Sequence, residues 1–284
     1  ALEALTGDKI SVGAPFFNTV LIPIALPLAL LIPLGQMLAW KRGDLNGAVQ
    51  RLRAAFFLGV LALGFFGVSH GAPYLSAVAG AIAVYVIVGA LIDLTQRAVS
   101  NARTPRAALA RFFGLPLSAF GTSFAHAGIG LTLLGLAATG WGVESITTMR
   151  RGDVVSLGPY RIGLEQLAQR PGPNYLESYA VMRIERDGQL VARIEPGKRS
   201  YPTRKMTRAE AGIVTLGLGQ VYAALGEFHE NEGVDVRLYY KPLVTLIWIG
   251  ALVMALGGAL SLADRRLRVG APRRAPAPVP QAAE

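Results

Sequence analysis

The chain has 284 residues, 52% of them hydrophobic and only 16% charged, with mean hydropathy +0.42, against about a quarter charged in an average soluble domain. That composition excludes an ordinary water-soluble enzyme, and 3 Trp, 9 Tyr and 11 Phe exclude a low-complexity or disordered chain, so the apolar surplus calls for a bilayer as solvent. The 28 Lys+Arg against 18 Asp+Glu leave +10. The positions of these charges separate a nucleic-acid footprint from a membrane-topology signal.

Spanning about 30 Å of hydrocarbon takes about 20 residues. Four charge-free runs are that long: 31 residues between Lys9 and Lys41, 39 between Arg53 and Asp93, 32 between Arg111 and Glu144, and 22 between Lys241 and Asp264. The second is too long for one helix and breaks at Ser69-His70-Gly71-Ala72-Pro73, a Gly/Pro turn signal. The chain is therefore expected to be mainly α-helical and integral to a membrane. After an outer segment 1–16 come four spans at about 17–39, 54–70, 74–95 and 118–141. An extracytoplasmic, mainly β domain at 142–240, a fifth span at 242–263 and a basic Pro/Ala tail at 264–284 follow.

Lys and Arg flanking spans are retained on the cytoplasmic side. Thirteen fall on one side: Lys41, Arg42, Arg51, Arg53, Arg97, Arg103, Arg106, Arg111, Arg265, Arg266, Arg268, Arg273 and Arg274. The short segments of the other side hold Lys9 alone. The N-terminus is thus expected outside and the C-terminus inside, and the basic excess reads as topology, with no nucleic-acid partner. An outward N-terminus without an initiator Met or a signal peptide leads to the expectation that the chain is the C-terminal part of a longer membrane protein.

Residues 142–240 carry 13 Lys+Arg against 12 Asp+Glu and have soluble composition. Leu176 to Arg186 alternates apolar and polar residues, Asp187-Gly188 is a tight-turn dipeptide and Leu190 to Ile194 runs back, predicting a hairpin. Val234 to Tyr240 alternates again, and the short strands suggest a small open barrel or sandwich. Thr207 with Glu210 fits a capping box and predicts a short helix near 207–212. With no cysteine, this chain has neither structural disulfides nor thiol catalysis.

No phosphate loop, nucleophile elbow, zinc-protease motif or dinucleotide fingerprint occurs. Gly128 and Gly130 lie inside a span, where small residues serve helix packing. Three histidines remain. His126 lies mid-span in Gly121-Thr122-Ser123-Phe124-Ala125-His126-Ala127-Gly128, where a polar ring in hydrocarbon is a functional hypothesis by default. Small neighbours would admit a flat macrocycle and a neutral imidazole ligates haem iron; an interhelical hydrogen bond and a proton relay are the competing readings. His70, beside the turn, reads as a solvated interfacial residue, and His229 in Glu227-Phe228-His229-Glu230-Asn231-Glu232 as part of an acidic loop rather than a metal cluster. Asp93 and Arg97 are spaced for an i,i+4 ion pair. Trp40 and Trp141 fall at span ends and Trp248 inside the last span, as membrane anchors.

Several blocks resemble the C-terminal part of the CcmF family of cytochrome c-type biogenesis haem lyase subunits. They are Ser11-Val12-Gly13-Ala14-Pro15-Phe16-Phe17-Asn18, Ala125-His126-Ala127-Gly128, Gly172-Pro173-Asn174-Tyr175, Glu195 through Pro202, Tyr222 through Glu227, Val236-Arg237-Leu238-Tyr239-Tyr240-Lys241-Pro242, Ile247 through Gly250 and Met254 through Gly258. The resemblance implies a multi-pass protein of the bacterial inner membrane that joins haem to the Cys-x-x-Cys-His motif of apocytochrome c by thioether addition across the vinyl groups. Haem would arrive on the chaperone CcmE, apocytochrome through CcmH, and quinol would be a candidate electron donor. His126 matches one axial ligand of the family's haem b, and so becomes the candidate metal and cofactor residue. The family's Trp-rich haem signature, its two periplasmic haem-binding histidines and its other haem b ligand are not found here. The full-length protein is thus expected to be the enzyme, with this chain alone inactive and supplying half a haem site and a docking domain. The rival readings are a transporter or permease half, since Pro23, Pro27 and Pro33 interrupt the first span, and a non-catalytic assembly subunit.

Overall fold

The computed structural model describes residues 19–38, 43–71, 73–100, 102–229 and 233–264. The outer segment 1–16, the first resemblance block, Trp40, Lys41, Arg42, Glu230 to Glu232 and the tail arginines lie outside the described residues. Helix α1 (Ile22–Met37) is followed by α2 (Leu45–His70), α3 (Tyr74–Val99), α4 (Pro105–Phe113) and α5 (Leu117–Thr139). Ten strands and the last helix, α6 (Leu246–Ala263), complete the chain. Among the described residues four helices, α2, α3, α5 and α6, are long and apolar enough to cross a membrane. The expected first span, 17–39, is described as a helix of 16 residues, which spans about 24 Å; it carries Pro27 and Pro33 in its interior.

The helices differ from the hydropathy reading at several places, including the end of α3, which runs to Val99 rather than 95. Helix α2 begins at Leu45, not 54, because Asp44 caps it by accepting from the Gly47 N–H at 2.9 Å. Arg51 and Arg53 therefore lie on its first turns rather than in a loop. Helix α4 was not anticipated, although Thr104 accepts from the Ala107 N–H at 3.2 Å and Pro105 opens the first turn, a legible start signal. Helix α6 begins at Leu246, not 242, because the strand before it runs on to Lys241. The turn between α2 and α3 falls at the expected Gly71 to Pro73, with Gly71 at φ +64°.

Helices α5 and α6 run antiparallel in backbone contact. Gly121, Gly128 and Gly135, seven residues apart, face Gly257, Gly250 and Ile247. A Cβ on Gly128 would stand 2.6 Å from the Gly250 carbonyl oxygen, and one on Gly257 2.6 Å from that of Gly121. Gly130 meets α3 instead, where a Cβ would lie 3.0 Å from the Ala83 oxygen. In hydrocarbon, where side-chain burial drives little association, such close approach is what holds helices together. At the far end of the pair, the Asp264 carboxylate accepts the Ser118 N–H at 3.0 Å, tying the last turn of α6 to the first of α5.

The chain leaves α5 into β1 (Val143–Met149) and re-enters α6 from β10 (Val234–Lys241), and these two strands pair antiparallel from Val143↔Tyr240 to Met149↔Val234. The helix pair thus continues as a strand pair. One sheet has the order β1-β10-β9-β8, with β8 at Gly212–Leu216 and β9 at Gly219–Phe228. The other runs β2 (Val154–Leu157), β3 (Tyr160–Pro171), β4 (Leu176–Arg186), β6 (Gly197–Tyr201) and β7 (Met206–Glu210), with β5 (Gln189–Ile194) also on β4. Between the sheets Met149, Leu157, Ile162, Leu164, Met182, Ile184, Leu238 and their neighbours are fully buried, each such side chain contributing about 1.5–3 kcal/mol.

The predicted β4–β5 hairpin is present, turning at Asp187 and Gly188 with φ +53° and +79°, the pair of positive angles a two-residue turn requires. The predicted helix near 207–212 is not. Thr207 pairs with Ser200 in β7, and Glu210 meets Arg199 at 3.3 Å instead of capping a helix; an available sheet edge outweighs the local capping pattern. At the junction of helices and sheets, the Thr245 hydroxyl donates to the Leu218 oxygen at 2.7 Å.

Replacing Gly128 by Leu is expected to force α5 and α6 apart and to cost about 1–3 kcal/mol, read as a lower midpoint of heat-induced aggregation in detergent. Gly258→Leu, where a Cβ meets nothing within 4 Å, is expected to leave that midpoint unchanged.

Candidate functional site

His126 projects from α5 about 140° round the helix from Gly121, away from the α6 seam. Its Nδ1 lies 2.8 Å from the Thr122 carbonyl oxygen, one turn back, and meets the side-chain amide of Gln36 from the last turn of α1. Nε2 has no hydrogen bond among the described residues. Ser123 and Ile129, three residues before and after, and Gly130, four after, share the His126 face, with Gly130 covered by Ala83 and Ile87 of α3. Ser123 Oγ and Gln36 Oε1 are buried without a partner among the described residues.

A ring nitrogen donating to a backbone carbonyl is the arrangement that fixes the tautomer of a metal-ligating histidine and leaves the other nitrogen with a lone pair. The group at residue 126 therefore has the donor pattern of an axial haem ligand: one committed nitrogen, and one with no hydrogen bond among the described residues. The interhelical hydrogen bond weighed against this role is also present, to Gln36 rather than to a serine or threonine of another helix. Gln36 is the residue sequence reasoning missed. Its signal was a polar side chain near the end of an uncharged run, a feature related to the one that singles out His126.

Gln36 also borders a cavity of about 620 Å³ between α1, α2 and α3, lined by Arg51, Asp93, Gln96 and Arg97. Asp93 and Arg97 form the expected ion pair at 2.9 Å, with the Asp93 side chain only 10% exposed. His70 lies far along the bundle, at the end near the sheets, stacked on Trp141 with ring centroids 4.5 Å apart; Phe66 packs on the same indole at 4.8 Å. Trp141 is thus a packing centre at the helix–sheet junction, whereas Trp248 is 68% exposed on the outside of α6. His229 Nε2 meets Asp235 Oδ1 at 2.9 Å, and Asp235 also accepts from the Thr148 hydroxyl at 2.7 Å. Those two hydrogen bonds, Thr148 first, hold the Asp235 carboxyl below its usual range. Among the described residues no three His, Cys, Asp or Glu side chains gather as a metal site.

In the β domain one buried carboxylate gathers two arginines, one of them from the 195–202 block singled out above. Glu177, 3% exposed, accepts from Arg170 at 2.5 Å and from Arg199 at 2.9 Å. Arg170 reaches on to Glu195 at 3.1 Å, the Arg199 guanidinium lies over the Tyr175 ring at 4.7 Å, and Lys198 bonds Glu227 at 2.8 Å. Burial raises the Glu177 carboxyl, but the two guanidinium hydrogen bonds outweigh it and hold the group below the usual carboxylate range.

Glu177→Gln is expected to destabilise the β domain by about 2 kcal/mol through loss of charge-assisted hydrogen bonds, measured by thermal unfolding of the β-sheet circular-dichroism signal. Because the folded carboxyl titrates below the unfolded one, its contribution is complete above the ordinary glutamate value of about 4.3 and is lost as pH falls through the folded value. The gap between wild type and variant is therefore constant from neutral pH to about 5 and closes below 4.

Comparison with known proteins places these features in a family. Residues 140–242 match the family model described as the CcmF C-terminal beta-sandwich. The chain is 48% identical over 276 residues to the cytochrome c-type biogenesis protein CycK of Rhizobium meliloti, covering 96% of this chain and 41% of that protein. It is 34% identical to the cytochrome c-type biogenesis protein CcmF of Escherichia coli, covering 92% and 39%. A solved structure titled cytochrome c heme lyase CcmF superposes with a TM-score of 0.68 at 23% identity over 88% of this chain and 41% of that one, a likeness of fold. The chain thus spans about two fifths of the length of the curated relatives it matches.

Proposed function

Because the chain belongs to the CcmF family of cytochrome c-type biogenesis proteins, we propose that it forms the portion of a haem lyase that holds one face of a membrane haem b through His126. In this reading it also carries the β-sandwich on the outer side of a bacterial inner membrane. The observation that carries the ligand role is the 2.8 Å separation of His126 Nδ1 from the Thr122 carbonyl oxygen; a hydrogen on Nδ1 would leave the Nε2 lone pair for iron. Haem b bound there supplies a one-electron store that keeps the substrate haem ferrous. The chain's own residues do the rest. Thr122 orients the ring, and the packing of α5 against α3 and α6 excludes water from the ligand, raising the strength of every polar contact around it.

The outward orientation of the β domain is supported by the arginines. Arg51 and Arg53 on the first turns of α2, Arg97 at the end of α3, and Arg103, Arg106 and Arg111 around α4 all stand at the end of the bundle away from the sheets, the end retained in the cytoplasm. The β domain then faces the compartment where the chaperone CcmE, CcmH and apocytochrome c meet the lyase, with quinol in the membrane as electron donor.

In the intact protein, His126→Ala is expected to abolish nearly all haem b absorbance in the reduced spectrum while the helical and sheet circular dichroism is unchanged; a full-strength reduced band would refute the ligand role. This chain contains no cysteine, so a cysteine introduced into it reports the side on which it stands when compared with the unaltered protein. Asp187→Cys, on the β4–β5 turn with its side chain 91% exposed, is expected to react with a membrane-impermeant maleimide in intact cells, and Arg103→Cys only after lysis.

A further inference from the structure

The neutral imidazole of His126 has one hydrogen to place. The Thr122 carbonyl oxygen lies 2.8 Å from Nδ1, and two lone pairs facing each other at that distance repel, so the hydrogen belongs on Nδ1. The Gln36 amide meets that same nitrogen. A nitrogen that carries hydrogen wants an acceptor, and the two ends of a carboxamide have the same shape; a half-turn about Cγ–Cδ presents Oε1 to Nδ1–H. Gln36 and Thr122 then share one donor.

Helix α1 is held where this contact demands. Pro33, one turn before Gln36 and fully buried, seats against Gly89 of α3, where an added Cβ would come within 2.7 Å of the proline ring. The last turn of α1 is thereby wedged on α3 with Gln36 reaching α5. Gln36 borders the polar cavity lined by Arg51, Asp93 and Arg97, so the partner of Nδ1 sits at the edge of polar surroundings.

We propose that Gln36 is the positioning residue of the axial ligand: its amide oxygen, sharing Nδ1–H with the Thr122 carbonyl, fixes the ring's rotation and strengthens electron donation from Nε2, and so sets the reduction potential of the iron bound there. This rests on His126 being the haem ligand.

The test is an optical redox titration of the intact, haem-loaded protein in lipid nanodiscs. Gln36→Leu removes the acceptor, weakens donation and disfavours the ferric state. At fixed ambient potential the ferrous-to-ferric ratio is expected to rise several-fold, a tenfold change being 59 mV for one electron. Gln36→Glu keeps the shape of the side chain and strengthens the acceptor, so the ratio is expected to fall; being isosteric, it reports even if the leucine variant releases haem. Titrations of both variants that superpose on wild type, or that shift in the same direction, would overturn the proposal. His126→Ala, run in parallel, separates the two readings. Retention of the haem band in that variant overturns the ligand role itself, whereas its loss with unmoved Gln36 titrations overturns only the role of Gln36.

Discussion

The antiparallel contact of α5 with α6 is the constraint on which the remaining architecture depends. Five glycines let two backbones meet with 2.6 Å between a hypothetical Cβ and the opposite carbonyl, a separation no larger residue tolerates. That contact brings the residues entering β1 and leaving β10 side by side, so the first and last strands of the β domain pair before any other sheet contact is needed. The domain is in effect an insertion between two helices already in register. The Asp264–Ser118 bond closes the opposite end of the same pair.

The seam also decides which face of α5 is available for chemistry. With Gly121, Gly128 and Gly135 committed to α6 and Gly130 to α3, His126 is directed to the remaining sector, where α1 arrives through the Pro33–Gly89 contact. Polar side chains in hydrocarbon normally satisfy one another across helices. Here the partnership is asymmetric: one ring nitrogen has two potential partners and the other has none among the described residues.

The β domain follows a different logic. Its core is an ordinary apolar interleaving of two sheets, but its outer face concentrates charge on Glu177, bound by two arginines whose own outer donors reach Glu195 and Glu210. Tyr175 from the 172–175 block and Arg199 from the 195–202 block, distant in the chain, meet there because β4 and β6 pair. Spacing in the chain contains no hint of this convergence, since it requires knowing which strands are neighbours. The same ignorance produced the expected helix at 207–212: Thr207 and Glu210 satisfy a capping pattern locally, and only the exposed edge of β6 makes a strand the better state.

What the sequence by itself determined is whatever depends on the solvent and on nearest neighbours. Runs without charge located four membrane-capable helices to within a few residues at most ends, Asp187-Gly188 specified a hairpin, alternation marked the longer strands, and one histidine in an apolar run marked the site. Helix ends slipped where a cap or a strand, rather than hydropathy, set the boundary, as at Asp44 and Lys241. The tertiary structure alone decided that glycines seven residues apart on α5 face α6, that Gln36 reaches His126 across 90 residues of chain, and that Glu177 collects two arginines. The reason is physical: burial and turn preferences are properties of short segments, whereas the partner of a polar atom is chosen by whichever distant backbone the packing brings within hydrogen-bond reach.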